Sequence, residues 1–255
     1  MQQPQILTNV TDEIREKINK SFSIVLFIGA GISLSSRIPT FRGTGKDKYF
    51  YKHNPVYLSS IRGLVQFPEL AWQYYIHLYN LVKQAKPNAA HQALVDFQKK
   101  IAARKIVNLT TLTSNFDGLI SCAGGQAVEL HGNISKAICP TCKNIYEMQE
   151  LNLSLLPPMC ECKNILIPNI VLLDDLIKKE HYDLAVNATR GCTVYIAIGT
   201  SGVNSHSYGL MKAVKLRPNT TLVEINPRPS HLTKDMNYVI RGNAEDILPQ
   251  FNNIK

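Results

Sequence analysis

The sequence predicts an α/β fold in which a parallel sheet is interrupted by a cysteine-rich module and a largely helical insert. Short apolar, β-branched runs recur at Ser23–Ile28, 106–113, 127–130, 193–198, 221–225 and 238–240. Helical stretches, 91–99 and 206–215 among them, lie between some of these runs, and strands separated by helical spacers argue for a parallel sheet. Several runs stop at a glycine or polar turn, the end at which such sheets bind ligands.

Thr11 opens a short helix over 11–20 as its N-cap, with Asp12 and Glu13 in the first turn and Ile14 and Ile18 on one face. Ser23–Ile28 then reads as a buried strand that breaks at Gly29-Ala30-Gly31. Residues 46–86 are rich in Tyr and lack sheet-like alternation, which suits a second, largely helical insert or a lid. Between Cys139 and Cys162 the composition turns to Cys, Pro and Lys, a candidate inserted module.

The 255 residues, 45% apolar and 18% charged, suit one large domain or a domain carrying an insertion, and exclude a disordered or collagenous chain. The longest apolar or glycine run, 24–32, is roughly half of the ~20 residues a bilayer span needs, so no membrane span is expected. The first twenty residues carry Asp12, Glu13 and Glu16 and no apolar core, which fits neither a secretory signal nor a transit peptide; an intracellular protein, cytoplasmic or nuclear, is expected. The formal charge is +9, yet Lys and Arg are spread along the sequence, so the charge reads as a solvated basic surface and gives nucleic-acid contact no location.

The strand ends read Gly29-Ala30-Gly31-Ile32-Ser33, Thr113-Ser114-Asn115-Phe116-Asp117-Gly118, His131-Gly132, Gly199-Thr200-Ser201-Gly202 and Asn226-Pro227. Converging on one rim, they would make a polar site on an apolar scaffold. Gly29-x-Gly31 is a turn where backbone amides and a helix N-terminus can hold a phosphate, or simply a tight strand-to-helix turn. Leu34 stands where the third glycine of the dehydrogenase fingerprint would fall, so that fingerprint does not match. The second glycine turn, 199–202, makes a dinucleotide a better fit than a mononucleotide. Asn115 and Asp117 could hold an amide or a ribose, or make an Asx-turn before Gly118. His131 is either a surface histidine or a general base suited to neutral pH.

Cys139-x2-Cys142 and Cys160-x-Cys162 form two close thiol pairs, the pattern of a closed four-sulfur zinc site of structural type, with disulfides or unrelated buried thiols as the alternatives. Cys122 and Cys192 are expected to be free, buried thiols.

Gly29-Ala30-Gly31-Ile32-Ser33 with Ile38-Pro39-Thr40-Phe41-Arg42-Gly43, then residues 113–119, Glu129-Leu130-His131-Gly132, the four cysteines, Gly199-Thr200-Ser201 and Ile225-Asn226 occur in the order seen in sirtuins, the NAD-dependent protein deacylases. The chain resembles that family from about 24 to 251. The resemblance implies a Rossmann-like part over 1–45, 88–135 and 170–255, a helical insert at about 46–87 and a zinc module at about 136–169, with NAD between them. Gly29, Ala30, Gly31 and Ser33 would then line the pyrophosphate, and Phe41 and Arg42 the loop over the cofactor. Ser114, Asn115 and Asp117 would lie at the nicotinamide end, Gly199, Thr200 and Ser201 at phosphate and ribose, Asn226 at the adenosine ribose and Asn243 near adenine. His131 would be the base acting on the nicotinamide ribose, with Asn115 beside it in the reaction, while Val171 and Leu173 would border the acyl-lysine channel.

Departures accompany the matches. Ser114 replaces a usual glutamine, Thr40 a usual aspartate and Arg37 a usual glycine, and Leu173-Asp174-Asp175 replaces a segment that commonly ends Phe-Gly-Glu. The expected activity is NAD-dependent removal of an acyl group, acetyl first, from a lysine-bearing protein or peptide. An NAD hydrolase or ADP-ribosyltransferase is the alternative enzyme, and an NAD-sensing scaffold the alternative of another class.

Overall fold

The structure is a computed structural model and describes residues 3–39, 55–203 and 205–254. Its elements in chain order are β1 (Gln5–Leu7), α1 (Asp12–Asn19), β2 (Ser23–Ile28), α2 (Pro55–Leu58), α3 (Ile61–Gln66), α4 (Pro68–Gln84), α5 (Ala89–Ala103), β3 (Asn108–Thr113), α6 (Leu119–Cys122), β4 (Val128–Glu129), β5 (Gly132–Ile138), β6 (Ile145–Glu147), β7 (Ile167–Ile170), α7 (Lys179–Arg190), β8 (Val194–Ile198), α8 (Ser205–Lys215), β9 (Thr221–Ile225), β10 (Tyr238–Ile240) and α9 (Ala244–Ile247).

Seven strands form one sheet in the order β1-β10-β9-β8-β2-β3-β4, and every pairing is parallel. The register places Leu7, Ile240, Ile225, Ile198, Ile28, Thr113 and Glu129 on one line, so seven strands stop together. The chain winds outward from β2 through β3 to β4, then returns to β8 and winds the other way. The direction therefore switches between β2 and β8, where an open parallel sheet leaves its ligand crevice.

Both faces of the sheet are covered, as a parallel sheet requires. Ile24, Leu26 and Ile28 of β2 pack with Ile14 and Ile18 of α1 and with Leu94, Phe97 and Ile101 of α5. Val25 and Phe27, on the opposite pleat, pack with Ala185 of α7 and with Leu210, Met211 and Val214 of α8. The expected cap at Thr11 is present, its hydroxyl accepting from Ile14 N at 3.4 Å. Asn88 caps α5 through Ala90 N and His91 N, which starts that helix two residues before the expected position.

β5, β6 and β7 form a separate antiparallel sheet in the order β6-β5-β7. This sheet and helices α2 to α4 share one hydrophobic cluster, in which Leu58, Trp72 and Tyr75 meet Ile134, Ala137, Leu166 and Leu172. Trp72 Nε1 donates to Leu166 O at 2.9 Å, joining the two segments at the centre of that cluster.

Three differences from the sequence reading have physical causes. β1 is a short, largely exposed edge strand, and no apolar alternation marks it. The run 106–113 enters the sheet only at Asn108, because Lys105 turns into the left-handed region at φ 57° and leaves Ile106 72% exposed. Cys122 is exposed at the end of α6, against the expectation of burial; Cys192 is buried, its thiol donates to Val194 O at 2.9 Å, and burial pushes its pKa up to about 12.

Arg37 ends the 3-10 turn Ala30–Ser36 at φ 65°, a conformation that costs a residue with a Cβ about 1 kcal/mol and glycine little. Arg37→Gly is therefore expected to stabilise the fold by about 1 kcal/mol, raising the melting temperature by about 2–4 °C in a thermal scan. A lower melting temperature would mean that contacts of the arginine outweigh the backbone cost.

Candidate functional site

The common stop line sets the expected residues side by side. Asn226 comes directly after β9, Gly199 after β8, Gly29 after β2, Ser114 after β3 and Leu130-His131 after β4. At the switch point the two halves of the sheet touch through their backbones. Gly29 N donates to Ile198 O at 2.9 Å and Gly31 N to Gly199 O at 2.8 Å. A Cβ on Gly29 would lie 2.6 Å from Thr200 Cα, and one on Gly31 would lie 2.7 Å from Gly199 O. Gly199 itself has φ +60°. Gly29 leads into a 3-10 turn rather than the α-helix N-terminus the sequence suggests, with Ile32 N bonded back to Gly29 O at 3.2 Å. The amides of Gly29 and Gly31 are thus spent within the protein, and the glycines contribute close approach.

Behind this turn lies a buried polar cluster. Ser33, Asn115 and Asp117 are 1%, 6% and 6% exposed. Ser33 Oγ donates to Asp117 Oδ2 at 2.7 Å, and Asn115 Nδ2 lies 3.3 Å from Ser33 Oγ and 3.4 Å from Asp117 Oδ2. Asp117 Oδ1 accepts from Leu119 N at 3.0 Å, so the Asx-turn and the polar cluster are made by two oxygens of one carboxylate. Among the described residues Asn115 Oδ1 is buried with no hydrogen-bond partner. An unmet buried acceptor costs about 1–3 kcal/mol, and a donor supplied by a ligand, such as a carboxamide N–H or a ribose hydroxyl, would remove that cost.

The sequence reading missed His91. Fully buried on the first turn of α5, it brings Nε2 to 3.5 Å from Ser33 Oγ, while Asn88 N donates to Nδ1 at 3.3 Å. The spacing Asn88-x-x-His91, a cap followed by a side chain that returns to the cap, was the available signal. Burial lowers the His91 pKa from its ordinary 6.5, with Asp117 pulling the other way. Below pH 6.5 the unfolded histidine takes a proton that the folded one refuses, so this contribution to stability is complete above 6.5 and fades as the pH falls towards the lowered value. His91→Gln is expected to flatten the fall of unfolding free energy below pH 6.5, measured by denaturant titration at several pH values. An unchanged slope would place the titration elsewhere.

His131 is half-buried between β4 and β5. Its carbonyl accepts from Val171 N at 2.9 Å, and the next residue, Gly132, has φ +75° with Asn169 O only 2.1 Å from where a Cβ would be. Val171 is half-buried, whereas Leu173 is 52% exposed and its amide donates to Ser59 O at 3.0 Å. Asp174 Oδ1 accepts from Ile61 N at 2.6 Å, tying the expected channel segment to the start of α3. Ser114 turns its hydroxyl back onto Ile28 O at 3.3 Å. Thr200 is buried and Ser201 exposed; Thr200 O accepts from Asn226 Nδ2 at 2.8 Å. Beneath Asn226, buried Glu224 accepts from Thr233 Oγ1 at 2.6 Å and faces Arg241, whose Nη1 donates to Asn226 O at 3.2 Å. Asn243 is exposed at the N-cap of α9 with Nδ2 3.3 Å from Asp246 Oδ2. Phe41 and Arg42 lie outside the described residues.

The Sγ atoms of Cys139, Cys142, Cys160 and Cys162 all lie within 4.8 Å of one another, with Cys139 to Cys162 at 3.4 Å and Cys142 to Cys160 at 3.5 Å. A tetrahedral zinc with Zn–S bonds near 2.3 Å needs sulfur separations of about 3.8 Å, so the four fit the ion. Both thiol pairs sit on tight turns closed by a left-handed lysine, Lys143 at φ 65° and Lys163 at φ 66°. Lys143 N returns to Cys139 O and Lys163 N to Cys160 O, the second turn being one residue shorter. The Asn164 amide at 3.4 Å pulls the Cys162 thiol down to about 6, towards the thiolate that binds metal.

Residues 29–205 match the Sir2 family model. An NAD-dependent protein deacylase of Mycobacterium leprae is 34% identical over 89% of this chain and 94% of its own. A Sir2 homologue solved in complex with NAD superposes with a TM-score of 0.88 at 28% identity, covering 98% of this chain and 95% of the other. A Sir2 homologue mutant in complex with 2′-O-acetyl ADP ribose superposes with a TM-score of 0.84 at 29% identity, over 95% of each chain. No helix among the described residues is long and apolar enough to cross a membrane.

Proposed function

The chain belongs to the Sir2 family, and from that premise we propose that it removes an acyl group, acetyl first, from lysine of a protein or peptide, consuming NAD and releasing nicotinamide and O-acyl-ADP-ribose. The observation that carries the reading is the unmet Asn115 Oδ1 in the buried Ser33–Asp117 cluster, beside the glycine contact at the sheet's switch point. NAD would supply the nicotinamide leaving group and the ribose carbon that the acyl oxygen attacks.

Each part of the reaction falls to residues of this chain. Asn115 and Asp117, with Ser114 beside them, would hold the nicotinamide end, Asn115 through the carbonyl oxygen left unmet among the described residues. Gly29, Ala30, Gly31 and Ser33 would line the pyrophosphate, Gly199, Thr200 and Ser201 the phosphate and ribose, and Asn226 with Asn243 the adenosine end. The His131 imidazole would take a proton from a nicotinamide-ribose hydroxyl, a role that suits a half-exposed histidine near neutral pH. Val171 and Leu173 would border the acyl-lysine, with Asp174 and Asp175 lending negative charge to attract basic peptides. Four cysteines would hold a zinc ion that stiffens the small sheet and takes no part in the chemistry. The division into an NAD-binding part over 1–45, 88–135 and 170–255, a helical insert at 46–87 and a zinc module at 136–169 belongs to the same reading.

The test is nicotinamide release from NAD with and without a panel of acyl-lysine peptides. Release that requires an acetyl-lysine peptide is the expected result. Release without any peptide would transfer the reading to NAD hydrolysis or ADP-ribosyl transfer, and NAD binding without release would leave a sensor. The occupied Leu173 amide is the feature that favours the hydrolase alternative, since it is bonded to Ser59 O instead of being open to a peptide strand.

A further inference from the structure

The basic residues look scattered in the sequence, but the fold gathers them. Helices α1, α5, α7 and α8 each end within a few residues of the next strand's start, as does the 3-10 turn Thr233–Asp235 before β10. The seven strands of the large sheet being parallel, these five junctions lie at one edge of it, opposite the stop line that carries the site. The last helical turns and linkers, residues 16–22, 100–107, 187–193, 212–220 and 233–237, hold ten of the 28 Lys+Arg and two of the 19 Asp+Glu. Both acids face lysines of the same edge, Glu16 with Lys20 and Asp235 with Lys215. This edge therefore carries +8 of the +9 net charge, leaving 18 cations and 17 acids for the remainder.

Cations in a last helical turn are accounted for by the helix dipole, Lys20 by its pairing with Glu16 and Arg104 by the Ile18 and Asn19 carbonyls of α1 to which it donates, but Lys105 and Arg217 lie beyond the helices. Three large apolar side chains stand among them in the same linkers: Phe22 is 68%, Ile106 72% and Leu216 86% exposed. Phe22 and Ile106 belong to adjacent strand entries, since Asn108 N donates to Phe22 O at 2.9 Å.

We propose that this edge docks on an anionic phospholipid surface, with the site turned away from the bilayer. Lysines, seven of the ten cations, meet headgroup phosphates as point charges, and the apolar tips enter the interface between them. A nucleic acid would share the charge but not the tips: two of the three are aliphatic and cannot stack on bases.

The test is co-sedimentation of the full chain with phosphatidylcholine vesicles, with vesicles that include phosphatidylglycerol, and in parallel binding to a DNA duplex. Expected is binding to the phosphatidylglycerol vesicles alone among the two lipids, weakening as salt shortens the Debye length from about 10 Å at 0.1 M. The Phe22→Ser, Ile106→Ser, Leu216→Ser triple variant should weaken it about tenfold or more, and Lys17→Glu with Lys105→Glu should abolish it, each with a melting curve to confirm folding. Absence of vesicle binding at low salt overturns the proposal. So does vesicle binding that the triple variant leaves unchanged, or duplex binding tighter than vesicle binding.

Discussion

His131→Ala is expected to lower peptide-dependent nicotinamide release by about 10²- to 10⁴-fold, the usual contribution of a positioned general base, while NAD binding by calorimetry stays within about threefold of wild type. The separation arises from how the residue is held. Its backbone is held through the Val171 amide on one side and the left-handed Gly132 on the other, contacts that alanine at 131 keeps. The elements proposed to bind the cofactor, the glycine contact and the Ser33–Asn115–Asp117 cluster, belong to other strands. A mutant that loses NAD binding in proportion to rate would make His131 a binding residue, and one with wild-type rate would remove it from the reaction.

Cys139→Ala is expected to release the metal and open the small sheet. Structural zinc contributes about 10–16 kcal/mol of apparent binding energy, comparable with the roughly 5–15 kcal/mol that holds a whole domain folded. Cys139 is itself fully buried in the cluster that contains Trp72, the chain's single tryptophan. Loss of zinc by elemental analysis should therefore coincide with a red shift of tryptophan emission, as the Trp72 bond to Leu166 O gives way to water. Far-UV circular dichroism should fall only in part, because the seven-stranded sheet has two cores of its own. A metal-free mutant with wild-type emission would show that the four thiols are not needed for the packing around them.

The elements that the sequence revealed are those whose local pattern is also their tertiary role. β2 is apolar at nearly every position because both its faces are buried, and its glycine end is a contact that admits no side chain. Thr11 and the spacing of Ile14 and Ile18 mark α1 for the same reason. The small sheet was not legible: β5 alternates weakly, and its partners are separated from it by cysteine turns that carry no strand pattern. Nor could spacing show that the helical segment and the cysteine module share one core, a fact carried by contacts such as Trp72 to Leu166 across 94 positions. At the site, the strand ends were readable because the register aligns them, whereas His91 was hidden in a helix cap, where its residue type looked incidental. The gathering of basic residues at the strand starts was hidden in the same way, since linear distance says nothing about which ends of parallel elements meet.

The backbone contact between Gly29, Gly31 and Gly199 bears on how any mutational scan of this chain is to be interpreted. A library sorted on folding alone should already discard alanine at these positions, since each added methyl group would press on main-chain atoms of the facing turn. Intolerance there reports the closure of two half-sheets and carries no message about a bound dinucleotide. Discrimination between fitness for folding and fitness for turnover has to come from Asn115 and His131, whose side chains can be shortened without forcing backbone apart.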